Sequence, residues 1–340
     1  MKYGMLIVMK LFNITAIFAL CLLVVSGCAR KQPRTFQETR TLMATYITIT
    51  VDAENEDQAK RAIDAGFAEI KRLAGIFSIW SEGTELSRIN AQAADHAVKA
   101  SPEVMELVKR ALEVARMTDG AFDPTVGPLV RLWSVTKRKV PPTPEEISKA
   151  RELVDYRNIV IEDDTIRFLK NGVVFDPGGI AKGYTSDRVV AVLKGLGIRS
   201  GIVASAGDIK TFGGGLRKSP WLVGIQHPRE KGVAATAAMA DMAISTSGDY
   251  ERYFEYEGRR YHHIIDPKTG YPAEGVRGLS VLHRDGVMCD GLSTGLFALG
   301  PQRARKKMEE LGLAGVIIDA NGAMLVSPAA RGIVKAEGGK

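Results

Sequence analysis

Residues 175–184 read FDPGGIAKGY and mark the point where the sequence changes from strand patterns to a helical pattern. Glycines in front of a helix let backbone N–H groups approach an anion, and the helix N-terminus adds partial positive charge. The stretch therefore favours a phosphate site, although it matches neither the Walker pattern nor G-x-G-x-x-G. A plain strand-to-helix turn is the alternative interpretation.

Strand patterns surround this loop on both sides. Short β-rich runs separated by the turns Asp163-Asp164 and Asn171-Gly172 predict hairpins before it, and further strands are predicted after it. The alternation of residues 40–52 predicts a half-buried strand near the N-terminus. The predicted strands are residues 40–52, 157–162, 165–169, 173–175, 200–207, 221–226 and 278–283.

Helical spacing of apolar residues predicts helices between these strands. One covers residues 59–77, a second opens at Ser101, a third begins with the capping box Thr143 to Glu146, and a fourth covers residues 186–197. Residues 245–248 are rich in N-cap residues and are interpreted as a helix start, with an ordinary turn as the alternative. Hairpins mixed with helices, without regular strand and helix alternation, predict an α+β fold with mixed or antiparallel sheets and packed helices.

Composition limits the partners. The chain has 340 residues, a formal net charge of +7, 45% hydrophobic residues and 25% charged residues, as is usual for a globular protein. Its basic clusters at residues 137–139 and 303–307 are short and lie among acids. We therefore expect no nucleic-acid partner.

The N-terminus predicts export and a lipid anchor. Lysines precede an uninterrupted apolar run at residues 16–25, which is too short to span a membrane and has the length of a signal-peptide core. The run ends in VSGC, which resembles the bacterial lipobox and implies acylation of Cys28. A plain secretory signal is the alternative. Residues 1–27 are thus expected to be a lipoprotein signal peptide, residues 28–38 a tether and residues 39–335 the folded domain, with a possible break between lobes near residues 141–143.

Asp290 and Thr294 are the candidate metal ligands in the sequence CDGLSTGLFALG at residues 289–300. They are four residues apart on a predicted helix, so both side chains project from one face. A carboxylate and a hydroxyl are hard oxygen ligands of the kind that magnesium accepts. An exposed helix turn is the alternative, which the surrounding apolar residues make less attractive.

Several ordered motifs together resemble the ApbE family of FAD:protein FMN transferases. They are GAFDPTVGPLV, DPGGIAKGY, SAGDI, TSGDYERYF, HIIDPKTGYP and DGLSTGLFALG, and they extend over nearly the whole chain after the signal. The resemblance implies an ApbE-like, T-fold-like architecture with two lobes. It also implies a magnesium-dependent enzyme that splits FAD, attaches FMN through a phosphoester to a Ser or Thr of a partner protein and releases AMP.

The resemblance also implies the site residues. Mg²⁺ would be bound by the backbone carbonyl of Ala181 and by Asp290 and Thr294. His263 is the candidate general base, and Asp290 is expected to assist. Contacts to FAD would come from Met43, Trp80, Ala121, Phe122, Asp123, Gly178, Tyr184, Ile264 and Ser293, with Trp80 in place of the tyrosine expected there.

The partners and location follow in the same way. The acceptors would be membrane-anchored subunits of sodium- or proton-linked respiratory complexes that carry a Ser/Thr flavinylation motif. The enzyme would be bound through its lipid (palmitate) to a membrane of the bacterial cell envelope, facing the periplasm. Two alternatives remain from the residues themselves: a magnesium-dependent FAD pyrophosphatase that gives FMN and AMP, and a non-catalytic FAD-binding lipoprotein.

Overall fold

The computed structural model describes residues 32–42, 45–216 and 219–337, and within them the chain has the α+β fold that was predicted. The predicted signal peptide, Cys28 and Met43 lie outside the described residues. The helices are α1 (Glu56–Phe77), α2 (Glu85–Gln92), α3 (Pro102–Met117), α4 (Gly127–Trp133), α5 (Pro144–Arg151), α6 (Ala181–Gly195), α7 (Gly286–Leu299) and α8 (Pro301–Glu310). The strands are β1 (Arg34–Leu42), β2 (Thr45–Ala53), β3 (Val98–Lys99), β4 (Ile159–Glu162), β5 (Thr165–Phe168), β6 (Gly201–Ser205), β7 (Asp208–Phe212), β8 (Trp221–Gln226), β9 (Val233–Met239), β10 (Ala243–Gly248), β11 (Tyr253–Tyr256), β12 (Arg259–His262), β13 (Val276–His283), β14 (Ala314–Asp319), β15 (Met324–Val326) and β16 (Val334–Ala336).

An eight-stranded sheet organises the molecule, in the order β1-β2-β6-β7-β10-β13-β14-β15. Neighbouring strands in it are antiparallel. Its register aligns one row of residues across five strands, which runs from Arg40 through Ile47, Ser205 and Asp208 to Ser245. This row ends at the candidate site, so the sheet fixes the position of Asp208 and Ser245 relative to each other.

Helices α1, α6 and α7 form a layer on one face of this sheet. The inward residues of β2 pack against the apolar side of α1 and against α6, forming one core cluster. Helix α7 is enclosed by the sheet, α3 and α6, and every residue in it except Thr294 is buried. A helix that is apolar on nearly all sides belongs in a core. Thr294 is the one residue of α7 that is partly exposed.

A smaller sheet, β16-β9-β8, covers the other face of β10, β13 and β14. Alternation along the strands separates the two layers. Ile244 and Leu282 contact the small sheet, whereas Ser245 and Val281 face the helices. The main sheet is therefore buried on both faces along these strands. No helix within the described residues is long and apolar enough to cross a membrane.

Four local predictions were wrong. Residues 40–52, predicted as one strand, are shared by two, since β1 ends at Leu42 and pairs antiparallel with β2, which begins at Thr45. Residues 34–38, predicted as tether, form the first half of β1, which pairs with β2 from Arg34 to Leu42; it is an exposed edge strand, so its polar composition concealed it. Residues 245–248 belong to strand β10 and do not start a helix. Residues 173–175 are not a strand, because the Asn90 side chain bonds both the N–H and the carbonyl of Phe175, at 2.8 and 2.9 Å, in place of a neighbouring strand.

Candidate active site

The site lies where the N-terminus of α6, the start of β7, strand β10 and the middle of α7 meet. Two carboxylates face each other there across one ammonium group. Lys182 Nζ is 2.9 Å from Asp208 Oδ2 and 3.4 Å from Asp290 Oδ1. Both acids are buried, at 6% and 2% exposure. Burial, followed by the charge of Asp208, raises the pKa of Asp290 to about 6.

Four hydroxyl groups extend this acidic pair. Ser245 Oγ bonds to Asp208 and lies 3.1 Å from Ser293 Oγ, which in turn lies 3.1 Å from Ser247 Oγ. Ser247 Oγ is 3.5 Å from Thr294 Oγ1. The hydroxyl cluster therefore links β10 to the face of α7 that carries Asp290 and Thr294. With the two carboxylates, it forms a surface made almost entirely of oxygen atoms.

The glycine loop closes over this surface. A side chain at Gly179 would lie 3.1 Å from Thr294 Oγ1, so the glycine lets the loop backbone lie against Thr294 without displacing it. Gly178 N–H donates to Asp176 Oδ1 at 2.8 Å, and burial raises the pKa of Asp176. The first turn of α6 then brings the Gly183 N–H within 3.0 Å of Asp290 Oδ2. The loop is thus attached to both candidate metal ligands of α7.

His263 lies close enough to Arg252 and Lys182 for their charges to affect its pKa, and its backbone N–H donates to the Arg252 carbonyl at 3.1 Å. Burial, and then the charge of Arg252, lowers the pKa of His263 to about 3. Its Nδ1 atom is buried and has no hydrogen-bond partner among the described residues. The ring is therefore neutral at physiological pH.

The predicted FAD contacts do not all face the loop. Ser293 belongs to the hydroxyl cluster, and Phe122, which follows buried Ala121, packs between Gly179 and α7. Ile264 is buried in the turn after His263. Trp80 is 71% exposed, with the Arg131 guanidinium 5.9 Å from its ring.

Two of the predicted contacts have side chains engaged elsewhere. Tyr184 is buried and its hydroxyl donates to Glu106 Oε2 at 3.0 Å, so its side chain points towards α3 and away from the site. The Asp123 carboxylate accepts bonds from Thr125 N, Thr125 Oγ1 and Tyr156 N, at 2.8, 2.5 and 2.9 Å. Any contact that Asp123 makes with FAD would therefore involve its backbone.

A second, partly buried ion pair supports the α7 side of the site. Lys210 Nζ is 2.7 Å from Asp187 Oδ1. Asp187 Oδ2 accepts the N–H groups of Gly286 and Val287, at 2.7 and 3.1 Å, and so stabilises the N-terminus of α7. This pair repeats the Lys182–Asp208 pair with opposite polarity, since here the acid is on α6 and the lysine on β7.

Asp208, Ser245 and Ser247 belong to the site but were not predicted from the sequence. A signal was present, because Asp208 and Lys210 occupy alternate positions of a strand whose inward residues should be apolar. Ser245 and Ser247 share one face in the same way once residues 243–248 are placed in a strand. The wrong helix prediction for residues 245–248 hid that alternation.

The fold and the site define an α+β protein with one buried acidic centre, lined by hydroxyl groups and covered by a glycine-rich helix entry. Comparison with known proteins agrees, since the ApbE family pattern matches residues 43–317. The chain belongs to the ApbE family.

Two relatives and two solved structures show the extent of the similarity. FAD:protein FMN transferases of Haemophilus influenzae and Vibrio cholerae are each 32% identical to the chain, over 80% and 83% of its length and 80% and 86% of theirs. The crystal structure of the ApbE protein from Thermotoga maritima superposes with a TM-score of 0.83 at 33% identity, covering 88% of this chain and 99% of that one. The flavin transferase ApbE from Vibrio cholerae gives 0.81 at 27% identity, with the same coverage.

Proposed function

We propose that this chain is an FAD:protein FMN transferase that attaches FMN to a Ser or Thr hydroxyl of a partner protein through a phosphoester and releases AMP. The observation that supports it is the convergence of Asp208, Asp290 and four hydroxyl groups beneath the glycine loop at the start of α6. An FAD pyrophosphate placed there would contact backbone N–H groups and Lys182.

The residues present fit a magnesium ion. Asp290 and Thr294 supply hard oxygen ligands, and the carbonyl of Ala181, which accepts a bond from Thr185 Oγ1 at 2.7 Å, is the third ligand that the family resemblance implies. Among the described residues no three His, Cys, Asp or Glu side chains cluster as a metal site, so water and phosphate oxygens would complete the shell. When bound, Mg²⁺ would neutralise charge on the phosphoryl and leaving oxygens.

The transfer itself balances without ATP. The acceptor oxygen forms a bond to the FMN phosphorus, and the bond from that phosphorus to the bridging oxygen breaks, so that AMP leaves with the oxygen. The acceptor proton goes to the imidazole of His263. Lys182 and the exposed Arg252 lie close enough to His263 to affect its pKa, and they are placed to attract the anionic substrate.

His263 has the protonation state that a general base needs. Its depressed pKa keeps the ring neutral in the free protein. Binding of the FAD phosphates beside it would add negative charge and move that pKa upwards, towards the range where proton transfer is efficient. The basicity of His263 would thus increase when the substrate is present.

The location follows from the N-terminal sequence. We propose that Cys28 is acylated and holds the enzyme on a membrane of the cell envelope, facing the periplasm. Acceptors on membrane-anchored respiratory subunits would then be in reach. FAD, which already contains an activated phosphoanhydride, suits a compartment without ATP.

Intact mass measurement tests the proposal. The full-length protein in detergent is incubated with FAD, Mg²⁺ and a candidate subunit or peptide that contains an acceptor threonine. We expect the acceptor to gain one FMN mass with equimolar AMP, and a Thr→Ala acceptor to gain nothing. AMP release at the same rate without any acceptor would indicate a pyrophosphatase instead. FAD binding without AMP release would indicate a carrier.

A further inference from the structure

We propose that Lys182 occupies the cation site in the metal-free protein and leaves it when the divalent cation binds, which makes its ammonium group available to the phosphates of FAD. The inference rests on the proposed function in one respect, since it takes Asp290 to be a metal ligand. Lys182 would thereby have a role of its own, separate from that of the metal ligands.

The available oxygen atoms carry the argument. Asp290 Oδ2 accepts the Gly183 N–H at 3.0 Å, so Oδ1 is the oxygen left for a cation, and Lys182 Nζ lies 3.4 Å from it. Asp208 is arranged in the same way. One of its oxygens bonds to Ser245, and the other is 2.9 Å from Lys182 Nζ. Lys182 therefore binds the free oxygen of each acid, and a divalent cation that binds Asp290 needs the same atom.

The charges favour replacement of Lys182 by the divalent cation over binding of both beside the two acids. Two buried carboxylates without a partner would be strongly destabilising, and Lys182 compensates them in the metal-free protein. A divalent cation compensates the pair completely. An ammonium group held within a few ångströms of that cation would then be repelled, because the charges are buried and poorly screened.

The lysine also has a way out. Its side chain is 27% exposed, whereas those of Asp208 and Asp290 are 7% and 3% exposed. A cavity of about 10 Å³, lined in part by Ser205 and Thr185, lies beside the lysine. A flexible four-carbon side chain can therefore swing outwards while the acids stay in place.

The chain contains a matched control for this behaviour. Lys210 also pairs with an acid between α6 and β7, at 2.7 Å from Asp187, but its side chain is only 10% exposed. It bonds the carbonyl of Arg284 as well, and Asp187 binds the N-terminus of α7. Lys210 thus pairs with one acid only and is held by a backbone carbonyl with little exposure, so it should have a structural role only.

The test compares wild type, Lys182→Met and Lys210→Met, each as full-length protein in detergent. Mg²⁺ affinity is measured by calorimetry without FAD. We expect Lys182→Met to bind Mg²⁺ about tenfold more tightly than wild type, since the competing cation is gone, and Lys210→Met to bind it as wild type does. FAD affinity is then measured with and without Mg²⁺. Loss of Lys182 should weaken FAD binding several-fold more with Mg²⁺ than without it, because only with Mg²⁺ bound is Lys182 free to contact phosphate.

Equal or weaker Mg²⁺ binding by Lys182→Met would overturn the inference, and so would a Lys182 contribution to FAD affinity that is independent of Mg²⁺. Lys182→Gln, checked by circular dichroism, replaces the methionine variant if that variant does not fold. Failure of the proposed function is separate, since it would appear as wild-type AMP release that needs no Mg²⁺ or no acceptor.

Discussion

At the residue scale, Asp290 and Thr294 differ in what they can give a metal. Asp290→Ala removes a charged ligand and should abolish Mg²⁺-dependent AMP release. Thr294→Ala removes a neutral hydroxyl and should weaken the apparent Mg²⁺ affinity by about tenfold, or about 1.4 kcal/mol. AMP release measured over a range of Mg²⁺ concentrations checks both variants. Unchanged turnover of Asp290→Ala at limiting Mg²⁺ would exclude these residues from the metal site.

His263 supplies a prediction about pH. Its pKa in the folded protein is about 3, against 6.5 for an ordinary histidine. The unfolded chain therefore binds a proton below pH 6.5 that the folded protein excludes, so this stability is present above pH 6.5 and is lost as pH falls towards 3. At pH 5 the loss is about 2 kcal/mol. Urea unfolding measures this loss. Between pH 7 and pH 5 we expect the unfolding free energy of His263→Gln to fall by about 2 kcal/mol less than that of wild type.

The same variant tests catalysis. His263→Gln should slow FMN transfer strongly while FAD still binds, since removal of a base need not disturb contacts to the substrate. Stopped-flow transfer and FAD titration measure the two effects separately. Normal transfer by the variant would leave His263 with a structural role in the turn.

At the scale of elements, the site depends on how closely α6 and α7 approach. A methyl group on Gly183 would lie 2.0 Å from the Gly286 carbonyl oxygen and 2.8 Å from Asp290 Cβ. The two helices therefore touch through their backbones at the point where Gly183 binds Asp290. This contact sets the distance between the phosphate loop and the metal ligands.

Gly183→Ala should therefore force the helices apart and cost more than about 3 kcal/mol of unfolding free energy. Gly195→Ala is the matched control, because it lies in the same helix with nothing within 4 Å of the added methyl. It should be neutral or stabilising by up to about 1 kcal/mol. Chemical denaturation compares the two, and equal stabilities would contradict the close helix contact.

The elements also show what the sequence can and cannot predict. The capping box at Thr143 and the N-cap at Ser101 are local signals, and both helices begin as predicted. Strand β10 and the stretch at residues 173–175 depend on distant partners. Ser245 lies in a strand because β7 and β13 flank it, and Phe175 lacks a strand neighbour because Asn90 replaces it. No local pattern contains that information.

The site residues also divide into those that local sequence predicts and those that depend on distant partners. Asp290 and Thr294 could be paired from their helical spacing, which sets their relative direction. Asp208 could not be joined to them, since 82 residues of chain separate it from Asp290 and only the sheet register and the packing of α7 bring them together. Tyr184 was predicted as a flavin contact from its position in a motif, but its side chain packs in the core.

At the scale of the whole molecule, one residue should decide where the enzyme is found. Cys28→Ser should leave the protein without lipid and release it from membranes, since the lipid proposed on that cysteine is the anchor. Membrane fractionation and intact mass measure this. A variant that still carries lipid and sediments with membranes would contradict the lipoprotein prediction.

The early start of β1 limits how far such an enzyme could work from its membrane. Strand β1 begins at Arg34, only six residues after Cys28, and the chain between these two residues reaches at most about 20 Å. From Arg34 the strand runs about 20 Å further to Arg40, in the row of Asp208, which lies three strand spacings or about 15 Å away. A lipid on Cys28 would thus limit the distance between the active site and the bilayer. Acceptor hydroxyls would be modified only within a shell of about 55 Å above the bilayer, so proximity to the membrane would itself select substrates.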